Sequence, residues 1–114
     1  MSAIRAIEQF EFHQTLEKSH GTAIVFFSSR ECLSCRHWQQ LLEHYCKLHP
    51  EIHVFKVDAG MDQALTEEFN VFHLPALFVY HNGQYHAALQ CEAKLEPLEF
   101  GIKAVLGAPA EEMP

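Results

Sequence analysis

The stretch SSRECLSCRHWQQLL, residues 28–42, carries two cysteines three positions apart where one structural pattern gives way to another. Just before it, TAIVFFS (22–28) is a β-branched and aromatic run without alternation, which predicts a strand buried on both faces. From the first cysteine onward, Cys35, Trp38, Leu42, Tyr45 or Cys46, and Leu48 or His49 recur at three- and four-residue steps. That period predicts a helix over 32–49, ended by Pro50, with Ser28 or Ser29 placed to cap its start.

The flanking sequence extends the pattern. AIRAI (3–7) predicts a short edge strand, and residues 10–20 a short helix that Gly21 stops. IHVFKVDA (52–59) reads as a second inner strand with Lys56 at its centre, and DQALTEEF (62–69) as a short helix capped by Asp62 or Asp58. PALFVYHNGQYHAALQ (75–90) reads as two strands joined by Asn82-Gly83, a strong hairpin signal. LEPLEFGIKAVLG (95–107) is an amphipathic helix with Gly107 as its stop. The order β-α-β-α-β-α-β-β-α combines parallel crossovers with a late antiparallel hairpin. It predicts an α/β three-layer sandwich with a central mixed sheet and helices on both faces. One domain is expected over residues 1–107, followed by a flexible tail over 108–114.

Composition narrows the function. At 114 residues and 48% hydrophobic content, with nine Phe, the chain can build an ordinary core without a disulfide framework. A net charge of −7 with His neutral argues against nucleic acid as a partner, because phosphate binding needs a basic surface. No apolar run approaches the roughly 18 residues of a membrane span, and Glu8 and Glu11 interrupt any leader-like segment. The expectation is a soluble, cytoplasmic protein without a membrane partner, in a reducing compartment where thiols are reactive, metal-bound or buried.

Spacing gives the cysteine pair its chemistry. Helical positions i and i+3 hold Cβ atoms about 5–6 Å apart, close to the roughly 3.5–4.5 Å that a disulfide needs. Cys32 and Cys35 can therefore close a small ring with little backbone motion. So short a ring adds little loop-closure stabilisation, so the pair suits reversible redox exchange better than stapling. At the helix start, free N–H groups and the positive end of the helix dipole favour a Cys32 thiolate, aided by Arg30 and Arg36 and opposed by Glu31. Cys35 lies one turn inward on the apolar side, which makes Cys32 the attacking thiol and Cys35 the resolving one. Two alternatives stay open: half of a Cys₂His₂ zinc site, and a redox-inert or redox-sensing adaptor module. Cys46 and Cys91, 45 residues apart, form no second metal knuckle.

The sequence resembles the thioredoxin family over residues 3–107. The likeness rests on TAIVFFSSRECLSC, FKVDA, FNVFHLPALFVYHNG and the C-terminal amphipathic helix. It implies a thioredoxin-like fold and thiol–disulfide oxidoreductase activity through Cys32 and Cys35. It also implies a cis Leu74-Pro75 peptide, with the Leu74 backbone and Pro75 receiving an extended substrate. The implied partners are a disulfide-containing protein or small thiol, with a reductase or glutathione for recycling. No metal or organic cofactor is implied. The departures are specific. Glu31 replaces the Trp before the first Cys, and Leu33-Ser34 replaces Gly-Pro between the two. Phe26 replaces the buried acid, which leaves Lys56 without its usual partner and free to snorkel or to pair with Asp58, Glu31 or another acid. Gln40 replaces the helix proline, which implies a straighter helix. Cys91 and His73 stand where the family commonly has glycine beside the dithiol, so Cys91 is a candidate third thiol and His73 a candidate local base or cation. Cys46 is expected to be a packed small hydrophobe.

Overall fold

The computed structural model describes residues 3–114. Five strands and four helices follow the expected order: β1 (Ile4–Ala6), α1 (Phe12–Lys18), β2 (Thr22–Ser28), α2 (Leu33–Leu48), β3 (His53–Asp58), α3 (Gln63–Glu68), β4 (Ala76–His81), β5 (Gln84–Leu89) and α4 (Leu95–Leu106). They make one sheet in the order β1-β3-β2-β4-β5. β1, β3 and β2 run parallel, while β4 and β5 are antiparallel to their neighbours.

β2 lies at the centre of this sheet, and alternate residues serve two cores. Ile24 and Phe26 pack with Cys35, Trp38, Leu42, Tyr45, Leu98 and Ile102 of α2 and α4. Ala23, Val25 and Phe27 pack with Phe12, Leu16, Leu65 and Phe69 on the α1 and α3 side. Every β2 residue after Thr22 is buried. This double burial removes the usual apolar–polar alternation from the strand sequence.

The hairpin turn is locked from outside. Asn82 and Gly83 both have positive φ, 50° and 81°, as a two-residue turn of this kind requires. Asn82 is tied to Gly21 twice: its N–H donates to the Gly21 carbonyl at 2.9 Å, and its Oδ1 accepts from the Gly21 N–H at 2.8 Å. A side chain at Gly83 would meet the backbone carbonyl of Glu17.

Some local expectations need correction. Asp62 occupies the N-cap position of α3 but makes no side-chain cap. Its Oδ1 accepts from the Gln9 N–H at 3.2 Å instead, joining α3 to the loop before α1. Gly107 follows α4 with φ −80°, so the helix stop does not use the left-handed freedom of glycine. Residues 108–114 form no helix or strand. Within them, the Glu111 N–H donates to the His86 carbonyl at 2.7 Å, and Glu111 Oε1 accepts from the Ala88 N–H at 3.3 Å, along the outer edge of β5.

Replacing Gly83 by Ala combines an unfavourable φ with a clash against Glu17 backbone. It should destabilise the fold by more than about 1 kcal/mol, read as a lower urea midpoint with an unchanged slope. A midpoint equal to the wild type would contradict this account of the turn.

Candidate functional site

β2 ends at Ser28, and four residues later the chain reaches Cys32, the N-cap of α2. Neither serine caps the helix. Ser28 is the last, buried residue of the strand, and the capping acceptor is the sulfur of Cys32 itself. Cys32 has extended backbone angles, φ −88° and ψ 106°, and its Sγ accepts from the Cys35 N–H at 3.1 Å. The Ser34 hydroxyl lies 3.4 Å from the same sulfur. Cys32 and Cys35 form a disulfide with a Cα–Cα separation of 5.2 Å. Cys35 is buried at 3% exposure, while Cys32 is only half-buried. The two sulfurs thus differ in access, because the second sits one helical turn inside the core face of α2.

The peptide bond between Leu74 and Pro75 is cis. Leu74 is half-buried between the two cores and makes no backbone hydrogen bond among the described residues. Pro75 borders a hollow of about 280 Å³, open between the loop at residues 69–76 and the end of β5. His73 lines the same hollow and is exposed. The sequence did not single out the exposed apolar residues nearby: Phe72 in this loop is 85% exposed, and Leu33, next to Cys32, is 77% exposed. Both were visible as bulky residues outside any helical or strand period.

Lys56 does not pair with Asp58 or Glu31. Its ammonium donates to Gln39 Oε1 at 2.6 Å. Gln39 lies four residues after Cys35 and so shares its helix face. Asp58 is engaged elsewhere, its Oδ1 accepting from the N–H groups of Gly60 and Met61. In the β2–β3 register Lys56 stands beside Phe26, so β2 offers it no carboxylate.

Cys91 packs towards α4: a methyl group placed on Gly101 would lie 3.9 Å from its sulfur. Partial burial pushes its thiol pKa up. Cys46 is buried in the α2–α4 core, and burial, reinforced by Glu43, raises its pKa as well. Raised values mean less thiolate at a given pH, which makes both sulfurs poorer nucleophiles than a free cysteine. His37 has a role the sequence did not reveal, its Nε2 lying 2.9 Å from the Ala93 carbonyl and joining α2 to the loop that carries Cys91. Among the described residues, no three His, Cys, Asp or Glu side chains are grouped as a metal ion would require, so the zinc alternative lacks a ligand set.

Comparison with known proteins points one way. The thioredoxin family model matches residues 3–104. Mitochondrial thioredoxin 3 of Saccharomyces cerevisiae, in its oxidized form, superposes with a TM-score of 0.76 at 22% identity, covering 90% of this chain and 95% of its own. Thioredoxin f2 of Chlamydomonas reinhardtii gives 0.78 at 18% identity, covering 89% and 94%. A chain from a structure concerning thiol resolution in a yeast mitochondrial 1-Cys peroxiredoxin via glutathione/thioredoxin systems gives 0.76 at 22% identity, covering 89% and 94%. At these identities the solved structures share the fold.

In the folded, oxidised protein, iodoacetamide at pH 8 should modify Cys46 and Cys91 more slowly than a free thiol, with Cys46 the slower of the two. Both rates should rise with pH and become equal after denaturation. Mass spectrometry of timed samples reads this directly, and a Cys91 reacting as fast as free cysteine would contradict its packed position.

Proposed function

This chain belongs to the thioredoxin family, and from that premise we propose how its dithiol works. It is a thiol–disulfide oxidoreductase. Cys32, as the thiolate, attacks one sulfur of a substrate disulfide and expels the other as a thiolate. A mixed disulfide joins Cys32 to the substrate. Cys35 then attacks the Cys32 sulfur, releasing the second substrate thiol and leaving the Cys32–Cys35 disulfide. The substrate leaves with two thiols, and the protein carries the oxidised pair.

The observation that carries this reading is the position of Cys32 at the N-cap of α2. Its sulfur receives the Cys35 N–H and lies within reach of the Ser34 hydroxyl, and both donors favour negative charge on it. Burial of Cys35 supports its role as the resolving thiol.

An extended segment carrying the substrate disulfide is read as docking along Leu74 and Pro75. The Leu74 backbone groups, which have no partner of their own among the described residues, are available for strand-like pairing. Exposed Leu33 and Phe72 supply apolar contact and favour a protein disulfide as substrate. Recycling is assigned to a reductase or to glutathione, in a reducing compartment such as the cytoplasm. No helix is long and apolar enough to cross a membrane among the described residues. His73, exposed in the hollow beside Pro75, is read as a rim residue that contacts substrate, and Cys91 as a packing residue rather than a third redox thiol.

Phe26 favours a second reading, a redox-sensing docking module with slow turnover. No carboxylate of β2 stands ready to take the proton of Cys35, which must pass to water. Insulin disulfide reduction separates the two readings. Cys32→Ser should abolish it, and Cys35→Ser should accumulate mixed disulfides visible on non-reducing gels. Cys91→Ser should leave the rate within about twofold of wild type. Undiminished turnover in both of the first two variants would overturn the dithiol mechanism. Trapped mixed disulfides without wild-type turnover would select the docking module.

A further inference from the structure

Cys35 also borders a hollow of about 340 Å³ whose other walls are Ser28, Ser29, Arg30, Arg36, Gln39 and Lys56. This lining holds three cations, two hydroxyls and an amide, and no carboxylate. Lys56 is half-buried, and its ammonium, with three N–H donors, makes one hydrogen bond among the described residues, to Gln39. No carboxylate of the described residues comes within ion-pair distance of Lys56, Arg30 or Arg36. Glu31 and Asp58 line an adjoining hollow that shares Ser29 and Arg30 with this one. Glu43 is joined to this wall through Gln39, whose Nε2 donates to it at 3.4 Å.

Two residues of β2 account for the arrangement. Phe26 gives Lys56 no counter-charge, and the small side chain of Ser28 leaves space above Cys35. Lys56, half-withdrawn from water and without a counter-ion, and the exposed Arg30 and Arg36 beside it favour an anion that can accept their N–H groups.

We propose that this hollow is an oxyanion-binding site adjoining the inner sulfur of the dithiol. Its ligand is a small oxyanion, either a phosphate-type anion or the carboxylate of a small organic acid. Lys56 supplies a point charge, Arg36 a planar fork of donors, and Ser29 a hydroxyl. The binding itself is independent of the redox mechanism. Its consequence rests on that mechanism. Two glutathione thiols reduce the Cys32–Cys35 disulfide, giving the protein dithiol and one glutathione disulfide. The reduced pair carries a Cys32 thiolate beside the Cys35 thiol, which brings negative charge next to the wall that the anion occupies. The oxidised protein therefore binds the anion more tightly, and by reciprocity the anion draws the couple towards the disulfide.

The experiment is a nitrogen-15 NMR titration of the oxidised full chain. Inorganic phosphate and S-methylglutathione, which has carboxylates but no free thiol, are added separately, each against sodium chloride at equal ionic strength. Saturable shifts are expected at the Gln39 side-chain amide, the Ser29 N–H and the Arg36 Nε. Whichever ligand saturates names the source, phosphate or carboxylate. K56Q and R36Q, with backbone spectra otherwise unchanged, should each weaken binding about tenfold, while K56R retains it. Shifts no larger than those with chloride, or wild-type affinity in both K56Q and R36Q, would overturn the site. A saturating anion should also move the glutathione ratio at half-reduction by roughly threefold towards disulfide in the wild type and not in K56Q. Binding without that movement refutes the coupling. A dithiol that never exchanges with glutathione refutes the redox mechanism, and the titration still decides the site.

Discussion

Burial of β2 on both faces is the constraint on which the rest of this molecule depends. Its alternate side chains belong to opposite cores, so the strand can neither slide by one residue nor rotate without exchanging those cores. Each fully buried Val, Ile or Phe contributes roughly 1.5–3 kcal/mol of apolar transfer free energy, so the register is firmly held. The strand ends at Ser28, and the turn that follows starts α2 at Leu33. The position of the Cys32 sulfur is thus fixed by packing several residues upstream.

Much of the fold was legible in the sequence because its signals are local. The unbroken apolar run of β2, the three- and four-residue period of α2 and the Asn82-Gly83 turn each state their own conformation. The asymmetry between Cys32 and Cys35 was legible for the same reason, since one residue precedes the helix and the other lies on its apolar face. What could not be read was where polar side chains find partners across the fold. Ser28 and Ser29 looked like caps, but Ser28 is committed to the strand and the cysteine takes the capping role. Asp62 looked like a cap and instead binds a backbone N–H 53 residues away. Lys56 looked like a partner for the acids near it in sequence. The group over it is an amide from α2, placed by helix–sheet packing that no local pattern encodes.

The exposed apolar residues beside Cys32 and ahead of the cis-proline have a similar explanation. Leu33 and Phe72 fit no burial pattern, and the fold leaves both in solvent. One follows the first cysteine and the other precedes the cis-proline loop's His73, so neither can be drawn inward without moving the segment that positions the site.

Replacing a buried acid by Phe26 changes two levels of the structure together. At the level of packing, β2 becomes wholly apolar between its two cores, and no ionisable group has to be buried beside Cys35. At the level of electrostatics, Lys56 loses a counter-charge. Removing one member of a buried ion pair is normally costly because the other remains desolvated and uncompensated. Here Lys56 remains half-exposed and takes a neutral acceptor in Gln39, which lowers that cost without cancelling the charge. The wall beside Cys35 therefore keeps a net positive character that an ion pair would have removed. Positive charge there favours the thiolate of the reduced state over the neutral disulfide. A stabilised reduced state is the direction that makes such a couple more oxidising. The same residue that completes the core of the central strand thus also sets the electrical surroundings of the inner sulfur.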